Sequence, residues 1–277
     1  MTAKVLGVVN QKGGVGKSTT ASNIGRGFAE DGLRTLLIDL DPQGNLTKGI
    51  YPTFPDEFPE GAFVDAPEGL RPGFGNAYIL FSEGAKVKPI TVEENGYSFD
   101  LLVASKHLAE ISEKSFDDGI ANFKENIESM ADQYDVIVID SLPSMGNLQV
   151  AVHASADFIA IPVQFEAWAI SGLERLVEVL VKVKKMINPK VELLAIYGSI
   201  VSPQETNVEY TWKEQLKETY GDAVLDDIFI TRGIKVVEAN NFGQTVKAYS
   251  PKSRQAGELA RLKDEMKRRM GIEEVTA

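Results

Sequence analysis

The chain contains no cysteine and only two histidines in 277 residues. Without a thiol there is no disulfide, no thiolate nucleophile and no cysteine-ligated zinc or iron–sulfur site. His107 and His153 stand far apart without metal-ligand spacing, so both read as surface or packed histidines and not as catalytic ones. No run of about 18 apolar residues occurs, so no transmembrane helix is expected. The first strand-like run begins at Lys4, which leaves no room for a signal peptide, and the expected location is cytoplasmic. Hydrophobic residues make up 43% and charged residues 25%, ordinary proportions for a chain that buries a substantial core.

Basic residues are also in deficit, with a formal net charge of −11. The deficit is uneven. Residues 1–170 hold 12 Lys+Arg against 24 Asp+Glu, whereas residues 171–277 hold 17 against 16. Polyanion binding follows local potential more than total charge, so a basic face on an acidic protein is compatible with nucleic acid. Lys247, Lys252 and Arg254 open the most basic stretch, at 245–270, and are candidate DNA contacts. A solvated helix face accounts for the same charges equally well.

What is present is a glycine-rich loop with two lysines, Asn10-Gln11-Lys12-Gly13-Gly14-Val15-Gly16-Lys17-Ser18-Thr19. Lys4–Val9 before it is an apolar run suited to a parallel strand buried on both faces, and a helix is expected from Ser18 to near Gly32. Strand, loop and helix in that order make a phosphate cradle, with backbone N–H groups and the helix N-terminus facing the anion. Gly13, Gly14, Val15 and Gly16 supply the cradle, and Lys17 reaches the β/γ-phosphates. The Ser18 hydroxyl binds Mg²⁺, with Thr19 beside it. Lys12 is the second loop lysine, and it gains a use if it crosses an interface to a partner's nucleotide.

Residues 33–39, 97–103, 134–140, 157–163 and 191–201 read as further strands, with a short one near 228–230. Helices are expected over roughly 114–132, 171–187 and 205–220, and from about Ser253 onward. The fold class is therefore α/β, a mostly parallel twisted sheet covered by helices on both faces, in one domain spanning 1–277. Residues 51–98 interrupt the alternation with six of the twelve prolines and six glycines. They read as an irregular surface excursion with room for a short hairpin.

Ligands of open α/β sheets sit outside the carboxyl ends of the strands. Asp140 closes an apolar strand in the manner of a Walker B element and can hold Mg²⁺ opposite Ser18. Asp41, just past the second strand, is placed to orient a nucleophilic water, with an N-cap or turn aspartate before Pro42 as the structural alternative. Asp39, still inside its strand, reads as structural.

Lys12–Thr19 resembles the deviant Walker A box of the ParA/MinD ATPases, and Asp39-Leu40-Asp41-Pro42-Gln43-Gly44-Asn45 resembles the DxDPQGN box of the ParA branch. The likeness continues through Ile161-Pro162-Val163-Gln164-Phe165-Glu166 and Ser171-Gly172-Leu173. It returns at Arg232–Ala239, similar to the family's PRxVRxxEA segment, and covers nearly the whole chain apart from 51–98. The resemblance implies a P-loop ATPase with ATP and Mg²⁺. In that reading Lys12 contacts the partner's ATP in a sandwich homodimer, while Lys17 and Ser18 serve phosphate and Mg²⁺. Asp41 is the hydrolytic aspartate and Asp140 the Walker B aspartate, and Arg232 and Lys235 fall at positions implicated in sequence-independent binding of double-stranded DNA. Adenine contacts are expected near Ser202–Pro203.

Three departures stand out: Leu142 where the family has a proline, Thr231 where proline is common before Arg232, and Lys235 where arginine is common. The implied function is partition of plasmid or chromosomal DNA on the nucleoid, with hydrolysis stimulated by a ParB-like adaptor. With the loop at residue 10, DNA binding is expected from the ATPase surface and not from a preceding helix-turn-helix domain. Positioning of a protein cargo on the nucleoid is an alternative. A MinD-like membrane cycle is another, and it needs an amphipathic C-terminal anchor. The stripe Leu259, Leu262, Met266 and Met270 reads instead as core, so no membrane partner is expected. A carboxylate-activating synthetase on the same loop would need an acceptor pocket, and the cluster-carrying relatives are excluded by the missing cysteines.

Overall fold

The computed structural model describes residues 2–52, 75–113, 117–144 and 146–273. Eight strands form one sheet in the order β3-β4-β2-β5-β1-β6-β7-β8. They are β1 (Lys4–Val8), β2 (Thr35–Asp39), β3 (Ile90–Glu94), β4 (Tyr97–Leu102), β5 (Val136–Asp140), β6 (Phe158–Val163), β7 (Glu192–Val201) and β8 (Val224–Thr231). All neighbours are parallel except β3, which runs antiparallel to β4. The hairpin allowed for within 51–98 is this β3–β4 pair, turning through Asn95 and Gly96, both at positive φ. The rest of that stretch is not all surface: Ala77, Leu80 and Phe81 are buried in the core. Residues 53–74 lie outside the described residues.

The central strands are apolar on both faces because helices cover both. Along β1, Val5 packs into the core beneath α4 (Asp117–Met130), α5 (Asn147–Ser155) and α6 (Ala167–Met186), while Leu6 and Val8 pack into the opposite one. That second core lies under α1 (Lys17–Glu30) and α10 (Arg254–Arg269). The same alternation runs through β5, with Ile137 and Ile139 on one side and Val136 and Val138 on the other. Leu259, Leu262, Met266 and Met270 are at most 5% exposed against this second core, so the stripe on α10 is structural, as expected. Among the described residues no helix is long and apolar enough to cross a membrane.

Several short helices fill the loops: α2 (Asn45–Ile50), α3 (Leu108–Glu113), α8 (Ile234–Asn241) and α9 (Val246–Tyr249), with α7 (Asn207–Tyr220) between β7 and β8. Arg26, fully buried on α1, joins three of these regions. It pairs with Glu94 of β3, donates to the Gly243 carbonyl at 2.8 Å and lies over the Phe99 ring.

His153 is packed, as expected. It is fully buried in α5, its Nδ1 lies 2.7 Å from the Gln149 carbonyl, and its Nε2 has no partner among the described residues. Burial lowers its pKa below the ordinary histidine value. On acidification the unfolded chain takes up this proton before the folded one does. Stability should therefore fall as pH drops below about 6.5, with a slope of up to about 1.4 kcal/mol per pH unit. Urea unfolding from pH 7.5 to 5 tests this, and His153→Gln should flatten the acid limb.

Candidate active site

The phosphate loop sits where β1 ends between β5 and β6, the place at which the order of strands reverses. Gly14 and Gly16 take φ of +72° and +83°, the left-handed region open mainly to glycine. Gly16 is also the N-cap of α1 and offers no side chain for capping, which leaves the first N–H groups of the helix to an external acceptor. A Cβ at Gly16 would lie 2.9 Å from Ser199 Oγ. Both glycines, together with Lys17, Ser18 and Thr19, line a cleft of about 530 Å³. Thr19 is tied to α8 by Asn240 Nδ2 at 3.2 Å.

Lys17 is 6% exposed and donates from Nζ to the Lys12 carbonyl at 3.2 Å. Burial lowers its pKa, while the charges of Asp140 and Asp41 work against that shift. Asp39 and Asp140 are register partners at the ends of β2 and β5, and both are fully buried. Asp39 is satisfied: Oδ2 accepts from the Thr47 amide at 2.8 Å and its hydroxyl at 2.7 Å, and Oδ1 accepts from the Asp41 amide at 3.1 Å. Burial nevertheless pushes its pKa up to about 6. The structural role read for Asp39 is thus a defined one, since it anchors α2 and the turn that carries Asp41.

Asp140 differs. Neither carboxylate oxygen makes a hydrogen bond of regular geometry among the described residues. Burial, then the charge of Asp39, hold its pKa well above the carboxylate range, and the Ser18 hydroxyl and Lys17 ammonium pull it only partly back. Asp41 is 4% exposed and lines the cleft, with Oδ1 accepting from the Gln43 amide at 2.9 Å and Oδ2 from Asn45 Nδ2 at 3.3 Å.

Two carboxylates, Asp140 and Asp41, therefore face one buried ammonium, with the charge of Asp39 added beside Asp140. A divalent cation beside Asp140 and Ser18 would offset that imbalance, and hard oxygen donors suit Mg²⁺. Among the described residues no group of three or more His, Asp or Glu side chains could hold a metal unaided. Mg²⁺ would need nucleotide oxygens to complete its shell, as is usual for this ion.

Lys12 reaches away from this centre. Its Nζ donates to Gln164 Oε1 at 2.6 Å and forms an ion pair with Glu166, just beyond β6. Gln164 and Glu166 were legible only as part of the motif after that strand. The other end of the cleft is walled by Ser199, Ile200, Ile230, Thr231, Arg232 and Gly233. Ile200 has φ +58°, a strained value for a β-branched residue, at the register shift between β7 and β8. Ser202 and Pro203, expected near adenine, are instead tied to Glu209 and Arg254 and do not line the cleft.

The candidate DNA contacts divide. Lys235, Lys247 and Arg254 pair with Glu238, Glu30 and Glu258. Arg232 and Lys252 are exposed and make no ion pair among the described residues, and Arg232 also lines the cleft.

A family model described as an AAA domain matches residues 3–193. The sporulation initiation inhibitor protein Soj of Bacillus subtilis is 31% identical over 255 residues, covering 91% of this chain and 94% of its own. The chromosome-partitioning ATPase Soj of Thermus thermophilus is 31% identical over 274 residues, covering 98% of each. Among solved structures, the ATP complex of a substituted form of Cyanothece McdA superposes with a TM-score of 0.80 at 19% identity, covering 100% of this chain and 99% of its own. With its phosphate loop and strand-end aspartates set on this sheet, the chain belongs to the ParA/Soj family of P-loop partitioning ATPases.

Proposed function

We propose that the protein is an ATP-driven dimer switch that partitions DNA. The observation carrying this reading is the buried, unpaired Asp140 beneath a phosphate loop that holds two lysines, of which only Lys17 turns inward. Lys17 and the loop amides bind the triphosphate. Ser18 and Asp140 would hold Mg²⁺, which would neutralise charge on the phosphates. Asp41 orients the attacking water and accepts its proton. Lys12 binds the nucleotide of a second copy, so dimerisation depends on ATP.

The ATP dimer binds double-stranded DNA without sequence preference through Arg232, Lys235, Lys247, Lys252 and Arg254. A ParB-like adaptor triggers hydrolysis and release, which would distribute the protein over the nucleoid. The buried stripe on α10 leaves no apolar face there for a membrane cycle.

The test is binding to a random-sequence duplex with ATP, ADP or no nucleotide across a salt series. Binding should require ATP, and Lys252→Ala should reduce the log–log salt slope by about 1 for each phosphate contact removed. Equal binding with ADP, or a flat salt response, would contradict the reading.

A further inference from the structure

The loop lysine assigned above to a partner's nucleotide is held within its own chain. Lys12 Nζ donates to Gln164 Oε1 at 2.6 Å and pairs with Glu166 Oε1, two acceptors from the turn between β6 and α6. The strand before that turn also holds the loop: Asn10 Nδ2 donates to the Pro162 carbonyl of β6, and Asn10 Oδ1 in turn accepts from the Lys12 amide at 2.9 Å. Glu166 is the N-cap of α6, yet its side chain makes no capping hydrogen bond, its carboxylate being given to Lys12 instead.

We infer that Glu166 and Gln164 are positioning residues for Lys12, restraining it in the nucleotide-free monomer and setting the threshold at which ATP drives dimerisation. The inference rests on the dimer-switch reading of Lys12.

Two physical features make the contact reversible. Lys12 and Glu166 side chains are 42% and 44% exposed, so water screens the pair and its strength is modest. A polyphosphate presents more negative charge than one carboxylate and can take the lysine over. Once released, Glu166 keeps a favourable position, because a carboxylate at an N-cap can accept from the helix's free N–H groups. The lysine thus has two acceptors available in turn, and the glutamate has two donors.

The test compares wild type, Glu166→Gln, Gln164→Ala and Lys12→Ala, each as the full chain. The first readout is the rate of covalent amine labelling at Lys12 without nucleotide, followed by peptide mass spectrometry. The second is the protein concentration at half-dimerisation in ATP and Mg²⁺, by light scattering. Labelling should speed up several-fold in Glu166→Gln. Half-dimerisation should shift to roughly fivefold lower concentration, as expected from releasing two screened ion pairs per dimer. Gln164→Ala should move both in the same direction by less, so a folding defect in one variant leaves the other to decide.

Unchanged labelling in both variants would overturn the inference. So would weaker dimerisation of Glu166→Gln, which would mean that Glu166 holds the partner's nucleotide instead. If wild type does not dimerise with ATP, the dimer reading fails by itself. The labelling rates then overturn the restraint if unchanged and uphold the Lys12–Glu166 contact if raised.

Discussion

Asp140→Asn should slow Mg²⁺-dependent ATP hydrolysis by orders of magnitude and, at the same time, make the nucleotide-free protein more stable. The two effects have one cause. Asp140 is fully buried beside the carboxylates of Asp39 and Asp41, neither oxygen makes a hydrogen bond of regular geometry among the described residues, and the Ser18 hydroxyl and Lys17 ammonium offset this only in part. A buried charge without its partner costs about 1–3 kcal/mol or more, and asparagine of nearly the same shape removes that charge. For a chain of this size the gain corresponds to a melting point higher by a few degrees.

The sign with pH follows. The folded-state pKa of Asp140 is raised, so its penalty is absent at low pH and grows as pH rises through that value. The advantage of Asp140→Asn should be large at pH 8 and small near pH 4. Turnover should fall by about 10²–10³, the range for losing one electrostatic contact to a reacting group. Calorimetry over this pH range and a phosphate-release assay measure both, and a destabilised Asp140→Asn would contradict the view that the empty fold is strained at this carboxylate.

Asp41→Ala should uncouple binding from turnover. Asp41 lines the cleft and is held by Gln43 and Asn45 in a turn that Asp39 anchors from below. On the proposed reading its removal takes away the group that orients and deprotonates water, an effect of about 10²–10⁴ on rate. The phosphate cradle, Lys17 and Asp140 remain, so ATP affinity should change little. The expected outcome is a slow enzyme whose ATP dimer and DNA complex persist for many wild-type lifetimes, read by single-turnover kinetics and by dissociation from duplex on dilution. Rapid hydrolysis by Asp41→Ala would leave that residue with only its turn-forming role.

Much of this was legible in the residues. β1, β2 and β5 are unbroken apolar runs because both their faces are buried, and the loop and terminal aspartates follow directly from where those runs stop. The short helices were not legible. α2, α5 and α8 start after Gly44, Gly146 and Gly233, none of which supplies a side-chain cap, so the usual start signal is missing. β8 begins at Val224 and not near 228 because Asp226 and Asp227 lie on an edge strand, where polar side chains can face water. The partners of Lys12 were hidden for a topological reason. Gln164 and Glu166 lie 152 and 154 positions further along the chain and meet the loop only because β6 is the neighbour of β1. Register between distant strands is decided by tertiary packing, which a linear pattern does not express.

The central claim is that Lys12 acts on the other subunit's ATP while Asp41 acts on its own. Mixing two inactive variants, Lys12→Ala and Asp41→Ala, tests it directly. In a mixed dimer, the site of the Lys12→Ala subunit keeps its own Asp41 and receives Lys12 from its partner. The other site lacks both. If the lysine works across the interface, an equimolar mixture should recover roughly a quarter of the wild-type ATPase rate, from random pairing of two subunit types in a twofold dimer. A mixture no more active than the average of the two separate variants would contradict the claim and return Lys12 to its own nucleotide.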